Sequence, residues 1–299
     1  MRVPFRGITT REVVLLRGEG GWGEFGPFLE YDDDEATRWL QAALEACAGD
    51  WPAPLRAAIP VNATVPAVPA AEVAGVMARF PGCTTAKVKV AQAGQRLKDD
   101  LDRVAAVREH VARVRVDANG AWSVDDAVAA LQALGELEYA EQPCATVEEL
   151  AQVRRRVSTR IAADESVRKA EDPLRVVRAE AADVLVLKVA PLGGVRPALA
   201  IAAECGLPVV VSSALETSVG IRAGVALAAA LPDLPFACGL ATTSLLAADV
   251  VPDSLDGHGG AILVRDLAPD PDLLVGLAAP EDRQQWWRER LARVLGSLP

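Results

Sequence analysis

A chain of 299 residues, 51% of them hydrophobic, can bury one large core or two ordinary ones. Its formal net charge of −10 comes without a dense basic cluster, which argues against a nucleic-acid partner, and no stretch approaches the roughly 20 uninterrupted apolar residues of a membrane span. The only two histidines, His110 and His258, leave no room for a zinc site built on several of them and disfavour a Ser-His-Asp triad.

The opening Met1-Arg2-Val3-Pro4-Phe5-Arg6 carries two arginines with no apolar stretch after them, so no signal peptide is expected. Five cysteines (Cys47, Cys83, Cys144, Cys205, Cys238), odd in number and not closely paired, suggest reduced, buried thiols in a cytoplasmic protein. Residues 12–17 read as a strand, and residues 18–27 as a glycine-dense loop. That loop is either a hairpin turn or a mobile flap whose Trp22, Phe25 and Phe28 close over a ligand. Asp32-Asp33-Asp34 then supplies an N-cap and first-turn acids to a helix reaching about Cys47.

From Ala57 the rhythm changes. Residues 59–65 read as a buried strand, followed by an alanine-rich helix over 70–79. Strands are then expected at 86–90, 114–117, 137–141, 161–164, 184–189, 208–212 and 236–238. Helices are expected between them at 95–113, 123–134, 147–157, 172–179, 195–205 and 218–231. Eight strands and seven helices in alternation mean a parallel α/β sheet, and even spacing favours closure into a barrel over residues 57–240. An open doubly wound sheet would need a nucleotide fingerprint, and Gly193-Gly194 lacks the pattern. After Leu240 the alternation stops. Residues 241–299, with a strand near 261–265 and an amphipathic helix carrying Trp286 and Trp287, are expected to rejoin residues 1–56 as a smaller capping domain.

Four strand ends each deliver a charge: Asp117, Glu141, Asp164 and Lys188, at steps of 24, 23 and 24 residues. Lys87-Val-Lys89 ends an earlier strand, and side chains two apart point the same way, so both lysines face the barrel mouth. Three carboxylates on consecutive strands repel unless a cation sits among them, and oxygen-only ligation suits Mg²⁺ better than zinc. The alternative is that the carboxylates simply pair with the lysines. A lysine base must be neutral part of the time, and a second ammonium together with a divalent cation lowers its pKa toward neutrality. Lys-x-Lys facing a metal thus suits removal of a weakly acidic proton beside a carboxylate, the metal holding the enediolate.

Lys87-Val-Lys89, Asp117-Ala-Asn119, Glu141-Gln-Pro143, Asp164-Glu-Ser166 and Lys188, in this order and spacing, resemble the muconate-lactonizing subgroup of the enolase superfamily. The resemblance spans roughly residues 10–260. It implies a (β/α)₇β modified TIM barrel under an α+β cap, Mg²⁺ (with Mn²⁺ as a substitute) on Asp117, Glu141 and Asp164, and proton transfer by the lysines. Arg115-Val-Asp117-Ala-Asn119, the loop Ser212-Ser-Ala-Leu-Glu-Thr-Ser-Val-Gly220 and the short chain are most similar to the branch that dehydrates a cyclohexadiene carboxylate in menaquinone synthesis. That implies Lys89 as base and then acid, Lys188 stabilising the anionic ring, and a small carboxylate as substrate. Arg115, Asn119, Ser212, Ser213 and Gly239 are then expected to contact it. Racemases of N-acylamino acids and dipeptide epimerases would use the same metal site with Lys89 and Lys188 as opposed bases. Epimerases typically carry an acidic pair on the last barrel strand, whereas residues 237–243 here hold none. Relative to most of the subgroup the N-terminal segment is short by a strand.

Overall fold

The structure, a computed structural model, describes residues 1–5, 7–168 and 172–298. It opens with an antiparallel hairpin of β1 (Val14–Gly18) and β2 (Gly21–Phe25), against which helix α1 (Asp33–Ala48) packs. Asp32 caps α1, its side chain accepting from the Glu35 amide at 2.8 Å. Gly23 permits the close approach of hairpin and helix, since a Cβ there would lie 2.0 Å from the Ala43 carbonyl oxygen.

The residues expected as one strand, 59–65, form two. β3 (Ala58–Pro60) pairs antiparallel with β11 (Ala261–Leu263), and β4 (Ala63–Val65) enters the main sheet. The run then alternates: α2 (Val73–Met77), β5 (Thr85–Lys89), α3 (Leu97–Arg108), β6 (Arg113–Asp117), α4 (Val124–Leu134), β7 (Ala140–Glu141) and α5 (Val147–Arg154). It continues through β8 (Ile161–Ala163), α6 (Glu165–Arg168), α7 (Leu174–Arg178), β9 (Val184–Leu187), α8 (Val189–Leu192), α9 (Val195–Cys205), β10 (Val209–Val211) and α10 (Ser218–Ala230). Helices α11 (Pro271–Gly276) and α12 (Glu281–Gly296) end the chain.

Strands β4 to β10 lie side by side in chain order, all parallel. The expected eighth strand at 236–238 is not a regular one, because Pro235 withholds a donor just before it. It contributes single parallel bridges instead, Cys238 to Val61 and Gly239 to Ser212, which join the two edges of the sheet and close the barrel. Alternation sorts the side chains. Tyr139, Ala162, Val184, Val186, Val210 and Phe236 fill the barrel interior as one cluster, while Val88, Val116, Leu185 and Val211 pack with the helices.

The C-terminal helix α12 returns to the N-terminal elements. Arg283 pairs with Glu12 at 2.7 Å, Arg290 donates to the Tyr31 carbonyl at 2.5 Å, and the Trp287 ring stands edge-on to Phe25 at 6.1 Å. The cap and α10 grip each other reciprocally. Glu24 of β2 accepts from the Thr217 and Gly220 amides at the N-terminus of α10, at 3.1 and 3.2 Å. Arg222 of α10 donates to the Trp22 and Ala46 carbonyls, placing a cation at the end of α1, whose last turn has none of its own.

Behind the strand that presents Lys87 and Lys89, Arg103 and Asp100 of α3 form a buried pair at 2.8 Å. Arg103 donates to the Lys89 carbonyl at 2.9 Å, and Asp100 accepts from the Ala91 amide at 3.0 Å. Arg103→Ala leaves a buried carboxylate without its cation. It is expected to cost about 3–5 kcal/mol of stability in urea unfolding. The double variant Arg103→Met, Asp100→Leu should lose less, and a larger loss in the double would refute this account.

Burial first, and Glu216 second, push the Glu24 carboxyl up to about 8. Between 4.5, its ordinary value, and about 8 the native state holds a proton that the unfolded chain has released. The stabilisation is therefore full below about 4.5 and lost as pH rises through about 8. Stability should fall from about pH 6 to about pH 8.5, and fall less steeply in Glu24→Gln. Equal slopes in the two proteins would count against it.

Candidate active site

The charged strand ends meet at one end of the barrel. Register sets Lys89 beside Asp117 and Asp117 beside Glu141 on adjacent strands, and Glu141 beside Ala162, two residues before Asp164. All three carboxylates are buried, at 1% exposure or less. Each is paired with a lysine. Lys87 Nζ lies 2.6 and 2.8 Å from the two Glu141 oxygens and 3.2 Å from Asp117 Oδ2. Lys89 Nζ donates to Asp117 and, at 2.8 Å, to Asn119 Oδ1. Lys188 Nζ lies 2.5 Å from Asp164 Oδ2.

The pairing that the sequence offered only as an alternative is thus what the side chains adopt. Among the described residues no three acidic, His or Cys side chains are gathered into a ready metal cage. The donor set nevertheless fits a hard divalent ion: three carboxylates on neighbouring strand ends, with no sulfur or imidazole among them. Burial first, and Asp117 second, push Glu141 up to about 7, the shift of a carboxylate taken out of water beside another acid.

The two lysines of Lys-x-Lys sit in different fields. Burial alone would lower Lys87, but Glu141 and Asp117 outweigh it and raise the group. At Lys89 burial prevails, with Lys87 adding to it against Asp117, and the group is lowered. A lowered lysine is the one able to act as a base.

Two residues just past Asp117 and Glu141 have left-handed backbones, Asn119 at φ 47° and Gln142 at φ 38°. Gln142 is fully buried, and its side chain ties two strand ends together. Its amide nitrogen donates to Ser166 Oγ at 2.8 Å, and its oxygen accepts from the Asp164 and Ser166 amides at 3.0 and 3.2 Å. Gln142 thereby fixes the direction of Asp164.

A cavity opens above the lysines. Lys87, Lys89 and Lys188 line it together with Ser212, Ser213 and Gly239, all named from the sequence. Two expected substrate contacts lie elsewhere. Arg115 is fully buried one layer deeper, because it precedes Asp117 by two positions on an inward-facing row. It pairs with Glu138 at 2.5 Å and stacks over Tyr139 at 4.7 Å. Asn119 does not line the cavity and instead accepts from Lys89.

The flap reading is corrected for Trp22 and Phe25. Residues 18–21 are a hairpin turn; Phe25 is fully buried against Trp287, and Trp22 lies beside Val219 and Val251. Phe28 does reach the cavity, with Phe5, Ile8, Tyr31 and Trp39, which sequence reasoning missed. The Phe5 ring lies 5.3 Å from Lys89 Nζ, held by a tight Phe5–Ile8 bridge. The sequence cue was Pro4-Phe5 with Gly7 close by, which carries no periodic signal.

Residues 69–271 match the family described as enolase C-terminal domain-like, and residues 1–47 the one described as enolase N-terminal domain-like. The o-succinylbenzoate synthase of Mycolicibacterium smegmatis is 62% identical over 97% of this chain and 91% of its own length. That of Mycobacterium tuberculosis is 59% identical over 97% and 90%. A dipeptide epimerase from Enterococcus faecalis, complexed with Mg and L-Leu-L-Tyr, superposes at a TM-score of 0.72 and 25% identity, over 86% of this chain and 90% of that one. Muconate lactonizing enzyme from Pseudomonas fluorescens shares the fold at a TM-score of 0.75 and 22% identity, over 88% and 90%. With a family match over most of its length and relatives this similar across nearly all of it, the chain belongs to the enolase superfamily.

Proposed function

We propose that this chain is an o-succinylbenzoate synthase, dehydrating 2-succinyl-6-hydroxy-2,4-cyclohexadiene-1-carboxylate to o-succinylbenzoate with a bound divalent ion, Mg²⁺ in the first instance. The observation that carries this reading is geometric: Lys87, Lys89 and Lys188 line one cavity, and each is paired with one of the three buried strand-end carboxylates. The relatives named above point to the same reaction. Asp117, Glu141 and Asp164 would hold the ion, and when bound it supplies positive charge to the substrate carboxylate.

The chain's own residues do the proton work. Neutral Lys89 takes the proton from C1, and the electron pair moves into the adjacent carboxylate to give an enediolate. Collapse of that anion expels the C6 hydroxyl, which leaves as water with the proton returned by Lys89. One group thus removes and returns the same proton on one face, and aromatisation drives the second step. Lys188 keeps a positive charge beside the ring, and Lys87, held charged by Glu141, adds to the field. Ser212 and Ser213 offer hydroxyls to the succinyl arm. Racemisation is the second reading, because Lys89 and Lys188 line the same cavity from different staves and could alternate as bases.

Chelation should abolish turnover, and Mg²⁺ should restore it. Asp164→Asn should weaken Mg²⁺ binding, measured by calorimetry, by about 10-fold or more. Full turnover after exhaustive chelation would sink the metal assignment.

The lysines separate the two readings. Lys89→Ala should abolish both dehydration and α-proton exchange in D₂O followed by NMR. Lys188→Arg retains the charge but no usable base, and should still exchange and dehydrate, with some loss from crowding. If Lys89→Ala still dehydrates and Lys188→Arg does not, the base is on the other side of the barrel.

A further inference from the structure

One wall of the cavity is formed by Ser212, Ser213, Ala214 and Leu215, between β10 and α10. It follows the last residue of β10 and precedes α10: Ser212 and Ser213 still donate to the Leu187 and Gly239 carbonyls at 2.9 and 3.1 Å, but residues 214–217 have no strand ladder to satisfy their polar groups. Side chains do that work instead, two of them from the cap. Arg11 Nε donates to the Leu215 carbonyl at 3.2 Å. Glu24 accepts from the Thr217 amide at 3.1 Å and from the Thr217 hydroxyl at 2.5 Å. Glu216, buried beside them, accepts from the Ala214 amide at 2.5 Å.

Leu215 itself has φ 63°, a left-handed conformation that a γ-branched residue adopts only when its surroundings impose it. The same Arg11 guanidinium lies 4.8 Å over the Phe28 ring, so one cation backs the cap wall and the barrel wall of a single cavity. Room has been kept for this contact. A Cβ on Gly220 would lie 2.5 Å from Glu216 Cβ and 3.1 Å from Glu24 Cδ. Neither Arg11 nor Glu24 lines the cavity.

We propose that Arg11 and Glu24 are positioning residues that fix the Ser212–Leu215 wall against the succinyl arm of the substrate, so that the cap takes part in substrate choice through side chains that never touch it. The inference rests on the dehydration reading above, yet the two fail separately. Absence of turnover in the parent protein would defeat that reading, whereas a fully active parent with unaltered variants would defeat only this one.

The test compares two ligands of the holoenzyme that share a ring and carboxylate but differ in the arm: o-succinylbenzoate and benzoate. Glu24→Ala should raise KM and the dissociation constant of o-succinylbenzoate about tenfold, the usual consequence of leaving a buried donor unmade. Benzoate affinity and kcat should stay within about threefold, because the lysines and carboxylates are untouched. Glu24→Gln keeps an oxygen facing Thr217 and should recover most of the loss. Equal weakening of both ligands, or a fall in stability with neither affinity changed, overturns the proposal, since a merely structural contact would give those results. Should Glu24→Ala not fold, Thr217→Val removes only the hydroxyl that meets Glu24. It should weaken o-succinylbenzoate about threefold relative to benzoate, and no difference between the ligands would again overturn the proposal.

Discussion

Burying three carboxylates at the mouth of one barrel is the condition to which the rest of this structure answers. Below them the interior is closed by Ala162, Val184, Tyr139 and Phe236 packed around the buried Arg115, so water does not screen the charges from beneath. Three lysines interleave with the three acids, and the balance is uneven, since Lys87 is held by two acids while Lys89 and Lys188 each meet one. That asymmetry turns two chemically identical side chains, two residues apart, into one fixed charge and one group able to give up its proton.

The supports around this cluster are polar and buried in turn. Arg103 holds the backbone under Lys89, Gln142 holds the backbone under Asp164, and Arg115 plugs the layer below with Asn62 and Glu138. Each bond sits away from solvent, where a correct partner is worth more and a missing one costs more. The barrel rim is therefore rigid where chemistry is carried.

The rim was legible from sequence because a strand's period of two and an even strand–helix spacing are local signals. Lys87, Lys89, Asp117, Glu141, Asp164 and Lys188 all announce themselves as charges where an apolar strand should end. What escaped was set by distant partners. Phe25 reads as a flap residue until Trp287, far along the chain, is seen against it. Arg115 reads as a substrate contact until Glu138 and Tyr139 claim it. The last stave escaped for the opposite reason: its pattern suggested a strand, but only single bridges form there. The carboxylate–lysine pairing turns on side-chain directions that no periodicity encodes.

The return of α12 to the first forty residues has a consequence for the order of assembly. Glu12, Phe25, Phe28 and Tyr31 each gain a contact from residues 283–290, near the end of the chain. The parallel staves, in contrast, pair each with the next as they are made, apart from the closing bridges between the segment at 238–239 and Val61 and Ser212. A ribosome emitting this chain therefore completes the barrel while the hairpin and α1 still lack one side of their core. The roof over the lysines is the last part to close, so a nascent or C-terminally clipped chain carries a finished catalytic rim beneath an unfinished cover.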